Sequence, residues 1–253
     1  MGNEKPDIVE GNDLPDFNPD DEYLQEIKSP IFYAVQKNIN IQTGQPTILD
    51  FDMQRISQRI NIVFNIRTEG NIKREDLAAP IIELSGACGR FNIADACLDT
   101  TRLYRMAHQV QPDEFTQTGE GTYRCVVHFH TLGVIPSAAK GHLNGPGILQ
   151  VALQVSTPQL DSSGTPVVDE EGNPVKNSRY IYGAINPYDE LTAAQLIEVR
   201  DGKIYLRYSK EDVNIEITTP LVIKADQIVP NDTGMGWQPH DPTNPDDDII
   251  IEI

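Results

Sequence analysis

Residues 55–67 read RISQRINIVFNIR, and the alternation in this stretch decides the predicted fold. Ile60, Ile62, Phe64 and Ile66 fall on one side of an extended chain, and mostly polar residues fall on the other. Because successive side chains of a strand point to opposite faces of a sheet, this pattern predicts a β-strand with one buried face. The stretch is long, rich in β-branched residues and free of Gly and Pro, so we predict a central strand.

Further strands are predicted on both sides of this one. Residues 30–35 and 48–53 lead into it and indicate an antiparallel meander. Residues 123–132, YRCVVHFHTL, and residues 148–155 carry the same alternation, and we predict that these two segments pair as antiparallel strands. About ten strands with few helices predict an all-β fold, an antiparallel β-sandwich with one or two short helices.

Local signals add detail to this outline. Residues 99–110 favour a helical turn, because their apolar side chains recur at helical spacing. Asn71 can cap a short helical turn, and residues 187–197 open a helix with acids in its first turn. Asp201 and Gly202 form a hairpin-type turn between residues 196–200 and 203–208, so the helix is expected to give way to strand early.

Glycine and cysteine positions are also informative. Gly86 and Gly89 interrupt a strand, which predicts a β-bulge or the close approach of another backbone. The chain contains three cysteines, Cys88, Cys97 and Cys125. One reading is a disulfide between Cys88 and Cys97, but an odd number of cysteines favours buried free thiols.

Charge is concentrated at the two ends of the chain. The formal net charge is −18, of which residues 1–26 carry −8 and residues 226–253 carry −7, leaving −3 for residues 27–225. Such a chain lacks the basic surface that phosphate contacts need, which argues against nucleic acid as a partner. We predict an acidic lead or linker at 1–28 and a sandwich domain at 29–225. Residues 226–253, a Pro/Gly/Asp-rich loop and C-terminal strand, are assigned to the same domain.

Chemical motifs are few. His128 and His130 are two residues apart on a predicted strand, so both imidazoles point the same way and a shared metal ion is one reading, with His108, His142 or an Asp as third ligand. The other reading is a solvated strand face. The sequence has no Gly-x-Ser-x-Gly, no phosphate loop and no dinucleotide fingerprint after a strand, so no enzyme activity and no cofactor are predicted.

The C-terminus is unusually apolar. Ile249, Ile250, Ile251 and Ile253 surround one glutamate after an acidic loop. This segment is expected either to close the protein's own sheet or to be offered as a strand to a neighbouring subunit.

Several segments, taken in order, resemble fimbrillin-like proteins of Bacteroidales and a related family of domains of unknown function. The resemblance covers about residues 30–253. Its motifs are residues 30–35 followed by the 55–67 strand; Leu84-Ser85-Gly86-Ala87-Cys88-Gly89 with Phe91-Asn92-Ile93; Phe129-His130-Thr131-Leu132-Gly133 with the 148–155 strand; and Gly234-Met235-Gly236-Trp237 with the terminal isoleucines.

The resemblance implies a transthyretin-like, Greek-key sandwich, export as a lipoprotein, and a role in pili as subunit, anchor or tip adhesin. It also implies that residues 99–110 are extended, against the local pattern. Family members usually carry a further sandwich before the segment that matches Pro30, whereas an acidic lead stands there in this chain. A single-domain or trimmed member is therefore expected.

The resulting functional prediction is a non-enzymatic cell-surface protein of fimbrillin type, acting in pilus assembly or adhesion. Its partners would be other pilus subunits or a host or bacterial surface ligand, and it would meet the membrane only through a lipid anchor. Its export signal would be absent from this chain. The first alternative is a secreted carbohydrate- or ligand-binding module that uses exposed aromatics near Trp237, and the second is a metal-dependent hydrolase using His128 and His130.

Overall fold

The predicted all-β sandwich is confirmed by a computed structural model. It describes residues 22–41, 43–143, 145–207, 212–225 and 227–240, and the backbone of residues 8–10. Strands make up 51% of the structure and helices 4%. Most strand pairs among the described residues are antiparallel, and two are parallel: residues 58–69 with 213–224, and residues 22–24 with 97–109.

Sixteen strands and one α-helix lie within the described residues. In chain order they are β1 (Ile8–Glu10), β2 (Glu22–Leu24), β3 (Phe32–Tyr33), β4 (Gln54–Arg55), β5 (Gln58–Glu69), β6 (Ile81–Asn92), β7 (Cys97–Gln109), β8 (Phe115–Gly119), β9 (Thr122–Thr131), β10 (Leu149–Pro158), β11 (Lys176–Ile185), α1 (Tyr188–Ala193), β12 (Ile197–Arg200), β13 (Lys203–Leu206), β14 (Val213–Lys224), β15 (Gln227–Ile228) and β16 (Gln238–Pro239).

The strands form two main sheets, called here the large and the small sheet, and a separate two-stranded pair. The large sheet has the order β1-β2-β7-β6-β10-β11-β16, with β13 also paired to β7 and β12 to β13. The small sheet has the order β15-β14-β5-β9-β8, and β3 pairs with β4 alone. The main apolar core lies between the inner faces of the two main sheets.

Most of the stretch 55–67 lies in β5, the middle strand of the small sheet. Ile60, Ile62, Phe64 and Ile66 of β5 are each 0% exposed, and the residues between them face outward. This strand pairs antiparallel with β9 and parallel with β14. A strand flanked on both sides needs the continuous β-forming sequence that residues 55–67 supply, and the prediction of a central strand is confirmed.

The predicted pairing of residues 123–132 with 148–155 is wrong. The first segment is β9 of the small sheet, and the second is β10 of the large sheet, where it pairs with β6 and β11. Both segments alternate because each contributes one inner face to the same core. Alternation identifies the buried face of a strand but not its neighbour in the sheet.

Residues 97–109 form strand β7, so the helical turn favoured by local pattern is wrong and the extended conformation implied by the resemblance is right. Tyr104 and Met106 point into the main core, at 2% and 1% exposure. Leu103 and Ala107, on the other face, pack against two separate apolar clusters. With both faces covered, the apolar residues lose the two-residue period of a half-buried strand and imitate helical spacing.

The predicted bulge in strand β6 is confirmed. Its register to β7 shifts between Ser85 and Ala87 and again between Cys88 and Arg90. Gly86 has a φ of +84°, and the chain around Ile135 runs directly against it, with the Ile135 amide donating to the Gly86 carbonyl at 2.9 Å. Only glycine allows this backbone conformation and this approach together.

The remaining local predictions are mostly confirmed. A 3-10 turn spans Arg74–Asp76, helix α1 begins at Tyr188, and β12 and β13 form a hairpin around Asp201 and Gly202. The predicted cap is wrong, because Lys73 rather than Asn71 precedes the 3-10 turn, and its backbone N–H donates to the Asp76 carboxylate at 3.0 Å. All three cysteines are free and buried, and burial raises the pKa of the Cys88 thiol to about 12.

Both ends of the described chain join the sandwich. Strand β2, inside the predicted acidic lead, pairs parallel with β7, and its Tyr23 is 3% exposed. At the other end, β15 joins the small sheet and β16 the large one. The described parts of the lead, residues 8–10 and 22–28, are therefore not a free linker, because β1 pairs with β2 and the side chains of Tyr23 and Leu24 are buried.

A buried carboxylate ties β11 to the connection between β5 and β6, and we expect it to make stability pH-dependent. Burial opposes the charge of Asp76, but the Lys176 ammonium at 2.7 Å and the Lys73 backbone N–H at 3.0 Å outweigh burial and hold the Asp76 pKa below its ordinary 3.8. The unfolded chain therefore binds the proton more readily. The stabilisation is present above pH 3.8 and is lost as the pH falls through the folded pKa.

The measurement is urea unfolding of Asp76→Asn and the parent protein on both sides of pH 3.8. At neutral pH the substitution should cost about 1–3 kcal/mol, and the two proteins should converge on acidification. Glu75→Gln is the matched control, because the Glu75 side chain is 65% exposed. A constant difference between Asp76→Asn and the parent at all pH values would contradict the assignment.

Candidate interaction surface

The most unusual surface of the described structure is the segment 31–53, which we call the apolar segment. The sequence predicts two strands of a meander here, but among its described residues only Phe32 and Tyr33 form a strand, and the others are irregular. Fourteen large apolar side chains are exposed among the described residues, and nine of them lie in this segment: Ile31, Phe32, Val35, Ile39, Ile41, Ile48, Leu49, Phe51 and Met53. Ile48 is 83% exposed and Ile41 is 75% exposed.

The apolar segment is held at its base. The Ile31 amide donates to the Ser57 hydroxyl at 3.0 Å, and the Ile56 amide donates to the Ile31 carbonyl at 2.8 Å. Tyr33 packs edge-on against Phe91 at the tip of the β6–β7 hairpin, with ring centroids 5.2 Å apart. These contacts fix the start of the segment, residues 31–33, to the body and to residues 56–57, which follow the segment in the chain.

A second surface is the outer edge of β14. Among the described residues, β15 pairs with β14 only at Ile223 and Lys224, and the Val229 amide reaches the Val222 carbonyl. Within the stretch 213–221, residues 213–217 and Leu221 pair with β5 on one side, and no described strand pairs on the other. The Thr219 carbonyl is the exception to an open edge, because it accepts from the Trp237 indole. Pro220 lies in this stretch, which fits an edge position because proline cannot donate to a neighbouring strand.

Trp237, predicted as an exposed ligand-binding aromatic, is buried. It is 1% exposed, and its ring packs against Phe64 with centroids 5.1 Å apart. Its indole N–H donates to the Thr219 carbonyl at 3.1 Å, which gives the buried ring its polar partner. The prediction that a ligand stacks on Trp237 is wrong, because the side chain completes the core.

His128 and His130 lie on the outer face of β9, as predicted, but they bind different neighbours. The His130 Nε2 atom lies 3.0 Å from the Ser57 hydroxyl. The His128 Nδ1 atom lies 2.7 Å from the Asn61 side-chain oxygen. Burial lowers the pKa of both rings, and Arg59 adds to this for each. Among the described residues, neither ring belongs to a group of three His, Cys, Asp or Glu side chains that can hold a metal ion.

His128 instead belongs to a cluster with His108 and Glu114. Glu114 Oε2 lies 2.9 Å from His108 Nε2, and Glu114 Oε1 lies 3.5 Å from His128 Nε2. The cluster joins β7 of the large sheet to β9 of the small sheet through the loop before β8. Burial acts to raise the Glu114 pKa, but the Gln111 backbone N–H and the two imidazoles outweigh it, so the carboxyl pKa is lowered.

A cleft of about 730 Å³ opens beside His130. It lies between residues 23–30 and the starts of β5 and β14, and Lys28, Arg55 and Arg59 line it together with two acids. Within the described chain, the Arg55 Nε atom is buried and has no hydrogen-bond partner.

The described residues contain no group of three His, Cys, Asp or Glu side chains that can hold a metal ion. Across the same residues, no helix has the length and hydrophobicity to span a membrane.

The isoleucines predicted as a partner strand, Ile249, Ile250, Ile251 and Ile253, lie outside the described residues. That hypothesis stays a prediction. Neither the apolar segment nor Glu114 was predicted as part of a site. The apolar residues of 31–53 are interrupted by Asn, Gln, Gly and Pro and lack the continuous alternation of residues 55–67. This interruption is the sequence signal that distinguishes the exposed segment from a buried strand.

The fold and surface define a class, an all-β sandwich with an exposed apolar segment and an open strand edge. Comparison with known proteins adds no narrower family. The chain matches no family model, no curated protein and no solved structure.

Proposed function

We propose that this protein is a non-enzymatic surface protein of fimbrillin type that works by binding other protein chains, in pilus assembly or adhesion. The observation that carries the proposal is the apolar segment. Soluble proteins rarely leave contiguous large apolar surfaces in water, and those that do use them to bind partners. Nine exposed large apolar side chains within 23 residues fit that use.

The open edge of β14 supports the same proposal. An unpaired strand edge presents backbone N–H and C=O groups that another extended chain can bind by adding a strand. The C-terminal isoleucines are the donor of the proposed pairing, because four β-branched residues around one glutamate have strong strand propensity. In this proposal the acceptor is the stretch 213–221 of a neighbouring subunit. Export and attachment at the cell surface through a lipid anchor belong to the proposal as well.

The two alternatives have less support. Binding of a carbohydrate through Trp237 loses its basis, because that ring is buried against Phe64. A hydrolase built on His128 and His130 loses its proposed geometry, because the two rings bind different neighbours.

The test measures self-assembly by light scattering across a concentration series. We expect the full chain to form concentration-dependent oligomers and the chain lacking residues 249–253 to remain monomeric. A synthetic peptide of residues 244–253, NPDDDIIIEI, should bind the truncated chain and slow amide exchange along residues 213–221.

A matched pair of substitutions tests the apolar segment. Ile48→Asp with Phe51→Asp should weaken assembly about tenfold or more, because buried apolar anchors carry most of the binding energy. Val199→Asp is the control, since Val199 is 65% exposed and lies outside the apolar segment. Equal assembly of the deletion, the double variant and the parent protein would overturn the proposed function.

A further inference from the structure

We propose that His128 and Glu114 bind a divalent transition-metal ion of the Zn²⁺ type between the His128 Nε2 atom and the Glu114 Oε1 atom. This site differs from the His128–His130 pair that the sequence suggested, because the second protein ligand comes from the loop before β8. The inference does not rest on the proposed function, since neither of the two ligands lies in the apolar segment or in β14.

The separation of the two atoms is the first argument. His128 Nε2 and Glu114 Oε1 lie 3.5 Å apart, which is longer than a well-formed N–H···O hydrogen bond. Zinc binds imidazole nitrogen and carboxylate oxygen at about 2.0–2.2 Å, and two ligands at a tetrahedral angle then lie about 3.4 Å from each other. The observed gap therefore accommodates a shared ion with almost no movement of either side chain.

The orientation of the His128 ring is the second argument. The Asn61 amide nitrogen donates to the Asn214 side-chain oxygen at 2.9 Å, which turns the Asn61 oxygen toward His128 Nδ1 at 2.7 Å. That oxygen can only accept, so Nδ1 carries the proton and Nε2 presents its lone pair. A backbone or side-chain oxygen that fixes the imidazole in this way is the usual support of a metal-binding histidine.

The third argument is that hydrogen bonds fix the position of Glu114. Its Oε2 atom accepts from the Gln111 backbone N–H at 2.7 Å and is hydrogen-bonded to His108 Nε2 at 2.9 Å. The backbone carbonyl of Glu114 accepts from the Val126 amide at 2.9 Å, which anchors the residue beside β9. Oε2 is thus fully engaged, and Oε1 is the carboxylate oxygen left facing the His128 lone pair.

The exposure of the pair sets the character of the site. The side chains of His128 and Glu114 are 26% and 15% exposed, so water can reach the remaining coordination positions. The described chain supplies two direct ligands and no third one, which matches the absence of a three-residue group there. Two protein ligands and water hold an ion less tightly than the four ligands of a structural zinc site.

The test is calorimetric titration of the full chain, free of any histidine tag, with ZnCl₂, together with NMR of the histidine ring protons. We expect one ion per chain, with the His128 ring signals shifting on saturation. His128→Gln and Glu114→Gln should each abolish saturable binding. Asn61→Ala should weaken it about 10- to 100-fold, as loss of a supporting hydrogen bond does at other sites.

Two controls keep the result interpretable. His142→Gln should leave binding unchanged, because His142 is exposed and lies away from the cluster. Arg59→Gln should strengthen binding severalfold, since its positive charge acts on His128. The inference is overturned if no saturable binding occurs, or if a folded His128→Gln variant binds zinc as the parent does. If Glu114→Gln fails to fold, His128→Gln alone decides.

Discussion

Replacing Phe64 by alanine is expected to lower the free energy of unfolding by about 3–5 kcal/mol. Phe64 is 0% exposed in the middle strand of the small sheet. Its ring packs at a tilt against the buried Trp237, and its strand neighbours Cys125 and Ile217 are also buried. Truncation removes the transfer free energy of the ring and leaves a cavity that strands held on both sides cannot close.

The measurement is urea unfolding followed by the fluorescence of Trp237, which is the only tryptophan in the chain. Val63→Ala is the matched control, because Val63 precedes Phe64 on the same strand and its side chain points to the half-buried outer face. That variant should lose about 1 kcal/mol or less. Equal losses from the two substitutions would mean that the inner face of β5 is not the core of this sandwich.

The expected difference in lost stability between the Val63 and Phe64 variants follows from the alternation of side chains along β5. The buried face of such a strand is the part of the fold that sequence predicts well. The inward-facing side chains of β5 could be predicted from residues 55–67 because one face of the strand packs on the core and the other faces water. Strand β7 could not be read in the same way, because Leu103 and Ala107 on its outer face are covered by other parts of the chain. Pairing partners, such as β9 with β5, depend on contacts between distant residues that no local pattern encodes.

The candidate surfaces were predictable to a smaller extent. His128 was identified because two histidines on one strand face are conspicuous, but Glu114 was not, since it follows a turn and resembles any exposed acid in sequence. Trp237 was misplaced because its neighbours are Gly, Pro and Asp, which usually indicate an exposed loop. The indole nevertheless fills the core beside Phe64, where its large area stabilises the fold more than exposure would.

Replacing Gly86 by alanine is the other substitution with a large expected effect, about 2–5 kcal/mol of lost stability. Two costs add at this position. The φ of +84° is unfavourable for any side chain with a Cβ atom. That Cβ would also lie 2.7 Å from the Ile135 carbonyl oxygen and 2.8 Å from the Gly147 nitrogen. Both neighbours are backbone atoms, so neither can rotate away as a side chain would.

Gly164→Ala separates the two costs. Gly164 has a φ of +81°, almost the same as that of Gly86, but no atom lies within 4 Å of its ideal Cβ position. It should therefore lose only about 1–2 kcal/mol, the cost of the left-handed backbone. The additional stability lost by Gly86→Ala in the same urea experiment measures how closely the backbones of Ile135 and Gly147 approach the bulge of β6. Equal losses of stability from the two alanine variants would contradict that close approach.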